Sequence, residues 1–228
     1  MHARDIMTSP VITAQPDTSV LDVVGLMLDN GISALPIISD KGFLLGLVSE
    51  GDLIRRSEIG ARDYSSWWLA AIGGKVRLAE EFVKTHGIQA CEIMTRDLVT
   101  VHEDTPVWKV AETLEKHRIK RVPVMRDDKV VGIVSRANLL QALAAQREQA
   151  MHSPSGDDRE LRKKVLETLS QEPWSDLPHL NVVVQDGVVH YWGRVHSEEA
   201  RQALQVAAKS VPGVVDVVDH THKTVTLF

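Results

Sequence analysis

Two four-residue runs, Ser49-Glu50-Gly51-Asp52 and Ser135-Arg136-Ala137-Asn138, set a hydrogen-bonding side chain one helical turn after a hydroxyl. Each run leaves an apolar stretch that reads as a strand and enters one that reads as a helix. The first turn of a helix offers unpaired amide N–H groups and the positive end of the peptide dipole, which suits a phosphate. Ser49 adds a hydroxyl donor, and the Asp52 carboxylate can accept two hydrogen bonds from the cis-diol of a ribose. Ser-x-x-Asp at a helix start is also close to a capping box, which needs no ligand. The two readings are compatible, because a capping serine can also touch a phosphate. Asn138 stands where the first run has Asp52. An amide there accepts without charge assistance, so the second contact should be weaker.

Other chemistry is thinly represented. His220 and His222 alternate on a predicted strand, but no third ligand lies at metal spacing. Cys91 is the single cysteine and has neither a paired His nor a Cys-x-x-Cys context, so no nucleophile and no intramolecular disulfide follow from it. There is no P-loop, no Gly-x-Gly-x-x-Gly and no acid/base pair that stands out, and the chain does not read as an enzyme. A net charge of −5 argues against bulk nucleic-acid binding, which needs a basic face. No charged start is followed by an apolar stretch of signal type, and no run of about 18 apolar residues marks a membrane span. The expectation is a cytoplasmic protein.

The elements that position the two runs are written twice. Asp5-Ile6-Met7-Thr8 returns as Glu92-Ile93-Met94-Thr95. At the same offset Thr13 meets Thr100, Ile32 meets Ile119 and Pro36 meets Pro123; one residue then drops out, and Gly46-Leu47-Val48-Ser49 meets Gly132-Ile133-Val134-Ser135. A duplication in register fixes architecture before any motif does. In the first copy, Val11-Ile12-Thr13 reads as a short strand. Val20, Val23, Val24, Met27 and Leu28 then form the apolar stripe of a helix, with Thr18 as its N-cap and Gly31 at its end. In the second copy Thr105 takes the cap and Pro106 the first helical position. Residues 34–38 and 43–48 read as strands joined by the Asp40-Lys41-Gly42 turn, and a helix starts at about Glu50. The repeat unit is therefore strand-helix-strand-strand-helix, over residues 1–57 and 91–147.

Residues 58–90 form an insert with an apolar patch that includes Tyr64, Trp67 and Trp68, and residues 75–85 look helical. The tryptophans either pack on their own module or anchor a dimer contact. A polar linker covers residues 148–157. A small αββαβ domain over residues 158–228 follows, with a hairpin turning at Asp186-Gly187 and a last strand over residues 214–218. From 157 to 228 there are eight Lys/Arg and eleven Asp/Glu, so its net charge of −3 gives no support to binding an anionic membrane.

The duplicated unit resembles the CBS domain, which occurs in pairs. The carriers are the Asp-Ile-Met-Thr opening, the order of elements, Ser33-Ala34-Leu35-Pro36 and the Gly-x-x-Ser-x-x-Asp run from Gly46 to Asp52. The C-terminal part resembles the BON domain through Asp186-Gly187-Val188-Val189, Tyr191-Trp192-Gly193-Arg194-Val195 and Val211-Pro212-Gly213-Val214. The combination is similar to the CBS–BON proteins of bacteria.

The resemblance implies an α+β protein: two βαββα repeats in a pseudo-twofold pair, plus the αββαβ domain. It implies an adenine nucleotide (AMP, ADP or ATP, with Mg2+ as a possible companion) as regulatory ligand between the repeats. Ser49 and Asp52 would be joined by Thr100, Lys120, Arg121, Val122 and Pro123. Ser135 and Asn138 would be joined by Thr13, Ile32, Ser33, Ala34 and Pro36. Lys120 and Arg121 would draw polyphosphate to the Asp52 site. A homodimer through the CBS pair is expected, with a protein or membrane partner for the BON domain and no nucleic-acid partner. The alternative is a scaffold whose CBS pair is vestigial and empty.

Overall fold

The computed structural model describes residues 1–56, 76, 79–148 and 156–223. The expectations for Tyr64, Trp67 and Trp68 lie outside the described residues. The chain divides into two compact units, residues 12–98 and residues 1–11 with 99–228.

In the unit of residues 12–98, helix α2 (Val20–Asp29) turns Val20, Val23 and Met27 inward. Strands β1 (Ala34–Ile38) and β2 (Leu44–Ser49) pair antiparallel, with Ala34 opposite Ser49. The short helix α3 (Glu50–Leu53) follows β2 directly. Residues 79–86 form α4, and α5 spans Ala90–Ile93. One core joins Val23, Met27, Leu35, Ile37 and Val48 to Ala90, Ile93 and Met94. Two details differ from the sequence reading. The strand expected at 11–13 reduces to a single parallel bridge between Ala14 and Ile37. The cap of α2 is Ser19, whose Oγ accepts from the Asp22 N–H at 3.1 Å, while the Thr18 hydroxyl accepts from the Gln15 N–H at 3.0 Å. Both residue types cap well, and Thr18 is taken by the turn before the helix.

The other unit begins with α1 (Ala3–Ile6) and resumes at β3 (Val101–His102), which pairs parallel with β4 (Arg121–Arg126). Helix α6 (Val107–Lys116) lies between them in sequence. Pro106 has an extended ψ of 142° and is the N-cap rather than the first helical residue. Strand β5 (Lys129–Ser135) pairs antiparallel with β4 and runs into α7 (Arg136–Glu148). Ala3, Ile6 and Met7 share a core with Val110, Leu114, Val122, Val124, Val134 and Ala142. The compact units therefore cut across the sequence repeats. The opening Ala3–Met7 packs into the core of the second repeat's strands, and Ala90–Met94 packs into that of the first's.

The same unit carries the C-terminal domain: α8 (Gly156–Ser170), a 3-10 turn at Leu177–His179, β6 (Leu180–Gln185), β7 (Val188–Val195), α9 (Glu198–Lys209) and β8 (Asp216–Lys223). Asp186 and Gly187 both have positive φ, 51° and 77°, as a tight hairpin turn requires. Asp158 holds that turn by accepting from their N–H groups at 3.0 and 2.8 Å. Strand β8 runs parallel to β7, and α9 makes the crossover that parallel pairing needs. β8 starts two residues later than the sequence suggested, because Gly213, at φ 103°, prolongs the turn after α9. Leu161, Val165, Leu169, Val182, Val184, Tyr191 and Leu204 form its core. The back of β6 is covered too: α1 and α7 pack on it, and Asn181 Nδ2 donates to Gln141 Oε1 at 2.8 Å. Among the described residues no helix is long and apolar enough to cross a membrane.

Candidate functional site

Strand β2 ends at Ser49, which stays extended (φ −122°, ψ 165°) and caps α3. Asp52 then falls at the third helical position and folds back. Its Oδ2 accepts from the Ser49 N–H at 2.8 Å and the Ser49 hydroxyl at 2.7 Å. Among the described residues its Oδ1 meets only the Thr95 hydroxyl, at 3.4 Å. The capping box is present, as the spacing allowed. It occupies one carboxylate oxygen and leaves the other with a single long bond, in a half-buried side chain. A carboxylate has about four acceptor directions, so Asp52 keeps capacity for the hydroxyls of a sugar.

The second copy repeats the geometry with a different balance. Asn138 Oδ1 accepts from the Ser135 N–H at 2.8 Å and the Ser135 hydroxyl at 2.6 Å, which fills both of its lone pairs. Asn138 Nδ2 donates to the Thr8 hydroxyl at 3.2 Å. The residue is 4% exposed. The first hook thus presents a partly free anionic acceptor, and the second a satisfied, closed amide.

Thr95 and Thr8 were absent from the sequence-based site. They come from the exchanged openings, and the duplicated Asp-Ile-Met-Thr run was the available signal. Each threonine pairs with the strand that leads to its hook: Thr95 exchanges backbone bonds with Leu47 at 2.9 and 3.0 Å, and Thr8 with Ile133 at 3.0 and 3.1 Å. The preceding methionine seats the segment. A Cβ placed on Gly46 would lie 2.4 Å from the sulfur of Met94, and one on Gly132 would lie 2.2 Å from that of Met7. A side chain at either glycine would have to displace the methionine packed against it.

The remaining expected residues divide between the units. Thr13, Ile32, Ser33, Ala34 and Pro36 belong to the unit with Ser49, and Thr100, Lys120, Arg121, Val122 and Pro123 to the unit with Ser135. Within each unit consecutive strands bring the β1 or β4 entrance to its own hook. Ala34 is opposite Ser49, and the Ser33 carbonyl accepts from the Glu50 N–H at 3.2 Å. Arg121 is opposite Ser135, and the Lys120 carbonyl accepts from the Arg136 N–H at 3.1 Å. The side chains of Ala34, Val122 and Pro123 are buried, whereas Thr100 and Lys120 are exposed. Among the described residues no group of three His, Cys, Asp or Glu side chains could hold a metal ion; His220 stacks on Trp192 at 4.5 Å.

Family models match this architecture throughout: the CBS domain over residues 3–58 and 90–145, and the BON domain over residues 157–222. The chain belongs to the CBS-domain family and carries a BON domain at its C-terminal end. Among relatives, an uncharacterized protein of Methanocaldococcus jannaschii is 30% identical over 154 residues, spanning 63% of this CBS–BON chain and 91% of the relative. The A-adding tRNA nucleotidyltransferase of Aquifex aeolicus is 29% identical over 150 residues, but the match spans only 15% of that enzyme. The crystal structure of CBSX2 in complex with AMP is 30% identical, with a TM-score of 0.56, covering 65% of this chain and 99% of that one. The CBS part is therefore similar in both sequence and fold to a protein that binds AMP.

Proposed function

We propose that this CBS–BON protein is a non-catalytic, cytoplasmic regulator that binds an adenine nucleotide or a related adenosine compound through the first hook. The observation that carries this reading is the spare acceptor capacity of Asp52 beside Ser49, in a chain whose CBS part resembles the AMP-bound CBSX2. Asp52 accepts from the ribose hydroxyls, and Ser49 and Thr95 supply hydroxyls at its edge. Binding signals only if it favours one arrangement of the protein over another, and the BON domain passes that arrangement to a partner. Assembly as a homodimer belongs to the same reading: Leu21 and Leu28 on α2 are 83% and 74% exposed and offer apolar surface to a second copy. The second hook, whose amide is already hydrogen-bonded to Ser135 and Thr8, offers no spare acceptor to a ribose in this state.

Titration calorimetry with AMP tests the reading. Asp52→Ala removes a charge-assisted acceptor worth about 1.5–3 kcal/mol, and affinity should fall roughly ten- to a hundredfold. AMP binding that is unchanged in this variant would refute the assignment. Absence of any binding of AMP, ADP, ATP or S-adenosylmethionine to the wild type would favour the empty scaffold.

A further inference from the structure

We infer that the BON domain is an internal latch that keeps the second hook shut. The hook closes because Asn138 donates to the hydroxyl of Thr8, so whatever fixes Thr8 fixes the hook. Thr8 lies within the 1–11 opening, and the BON domain grips that opening at two points. Arg162 on α8 is 9% exposed, and its guanidinium spans two backbone carbonyls. Nε donates to Val182 in the BON sheet at 2.7 Å, and Nη2 donates to Met7, the residue before Thr8, at 2.9 Å. One turn earlier on α8, Arg159 donates through Nε to Asp5 at 3.1 Å, and its Nη2 lies 2.7 Å from His2 Nδ1. Asp5 is 4% exposed and also accepts from the His2 N–H at 2.7 Å.

The site of Arg162 is built rather than incidental. Burial lowers its pKa to about 10, with Asp5 pushing it back up, so it is charged at neutral pH and must keep its acceptors. Pulling Met7 away would strand a buried cation and a carbonyl, at a cost equivalent to roughly a tenfold to hundredfold population change. Thr8 therefore stays on Asn138 while the BON domain is docked. Releasing the dock leaves Thr8 held only by its backbone pairing with Ile133 and by the seat of Met7 on Gly132, which loosens its hydroxyl from the Asn138 amide and makes a second adenosine site available.

The inference rests on the proposed adenosine binding, and AMP calorimetry on the full-length protein separates the two. The wild type should take up one AMP per chain. Arg162→Met and Arg159→Ala should add a second event that the wild type lacks, with the first site unchanged. Thr8→Val, which removes the hydroxyl and leaves the BON contacts alone, should add it as well. Should Arg162→Met melt the BON domain, its thermal unfolding will show it, and the half-exposed Arg159→Ala carries the same test. A wild type that binds two AMP molecules overturns the latch. So does a second event that appears with Thr8→Val but with neither arginine variant, or one that appears with none of the three. No AMP binding to the wild type overturns the functional reading itself, and the latch with it.

Discussion

The glycine notch under each methionine gives the sharpest test of how the hooks are assembled. A Cβ at position 46 would sit 2.4, 2.7 and 3.0 Å from Sδ, Cγ and Cβ of Met94. Ordinary carbon contacts need about 3.5–4.0 Å, so Met94 must retreat by roughly 1 Å. The outer sulfur can swing, but the Cβ is tied to the backbone that Thr95 pairs with Leu47. Over-packing of this kind costs about 1–3 kcal/mol. Met94→Ala alone empties a site that is 3% exposed and should cost about 2–5 kcal/mol. In the double variant Gly46→Ala/Met94→Ala the clash is gone and the new methyl fills part of the void. Its cost should fall short of the sum of the single costs by about 1–3 kcal/mol. Urea unfolding followed by circular dichroism reads all three free energies. Single effects that add to within about 0.5 kcal/mol would refute the notch as the seat of the exchanged segment. Gly132→Ala with Met7→Ala should behave the same way, because the second copy has the same geometry.

Two further outcomes follow from the charges and the core. Glu103 is gripped through both oxygens by Arg126, and this hydrogen bonding, with Arg126 and Arg4 nearby, outweighs burial and holds its carboxyl below the usual carboxylate range. A depressed carboxylate contributes stability above its unfolded pKa and loses it as pH falls through the folded one. Because Arg126 is half exposed, the contribution is about 1 kcal/mol. Glu103→Gln should therefore cost about that much at pH 7 and almost nothing at pH 3, and equal losses at both would refute the pairing. Tyr191 is fully buried, burial pushes its phenol pKa up, and its hydroxyl has no partner among the described residues. Tyr191→Phe should leave the melting temperature unchanged or raise it, since it removes an unpaired polar group. A loss above about 1 kcal/mol would reveal a bound water holding that oxygen.

The sequence alone determined most element types, the duplication and the spacing of the hooks, although the strand it suggested at 11–13 is only a single bridge. These follow from local rules: the apolar stripe of α2, the Asp186-Gly187 turn and the Ser-x-x-Asp spacing each act within a few residues. Caps and strand ends were read with errors of one or two positions. Thr18 and Ser19 are both good caps, and the turn before α2 decided between them. Only the tertiary structure decided which segment packs where. Asp5-Ile6-Met7-Thr8 looks like the first element of its own repeat, yet it lies in the core of the second repeat's strands. Nothing in its spacing reports that, because a short apolar run fits any apolar groove of the right shape. The notches at Gly46 and Gly132 are such grooves, and they bring Thr95 to Asp52 and Thr8 to Asn138. The contrast between an open acidic hook and a closed neutral one likewise arises from long-range contacts. A single Asp-to-Asn difference was visible in the chain, but its consequence depended on Thr8 and on the buried Arg162, more than 100 residues away from each other in sequence.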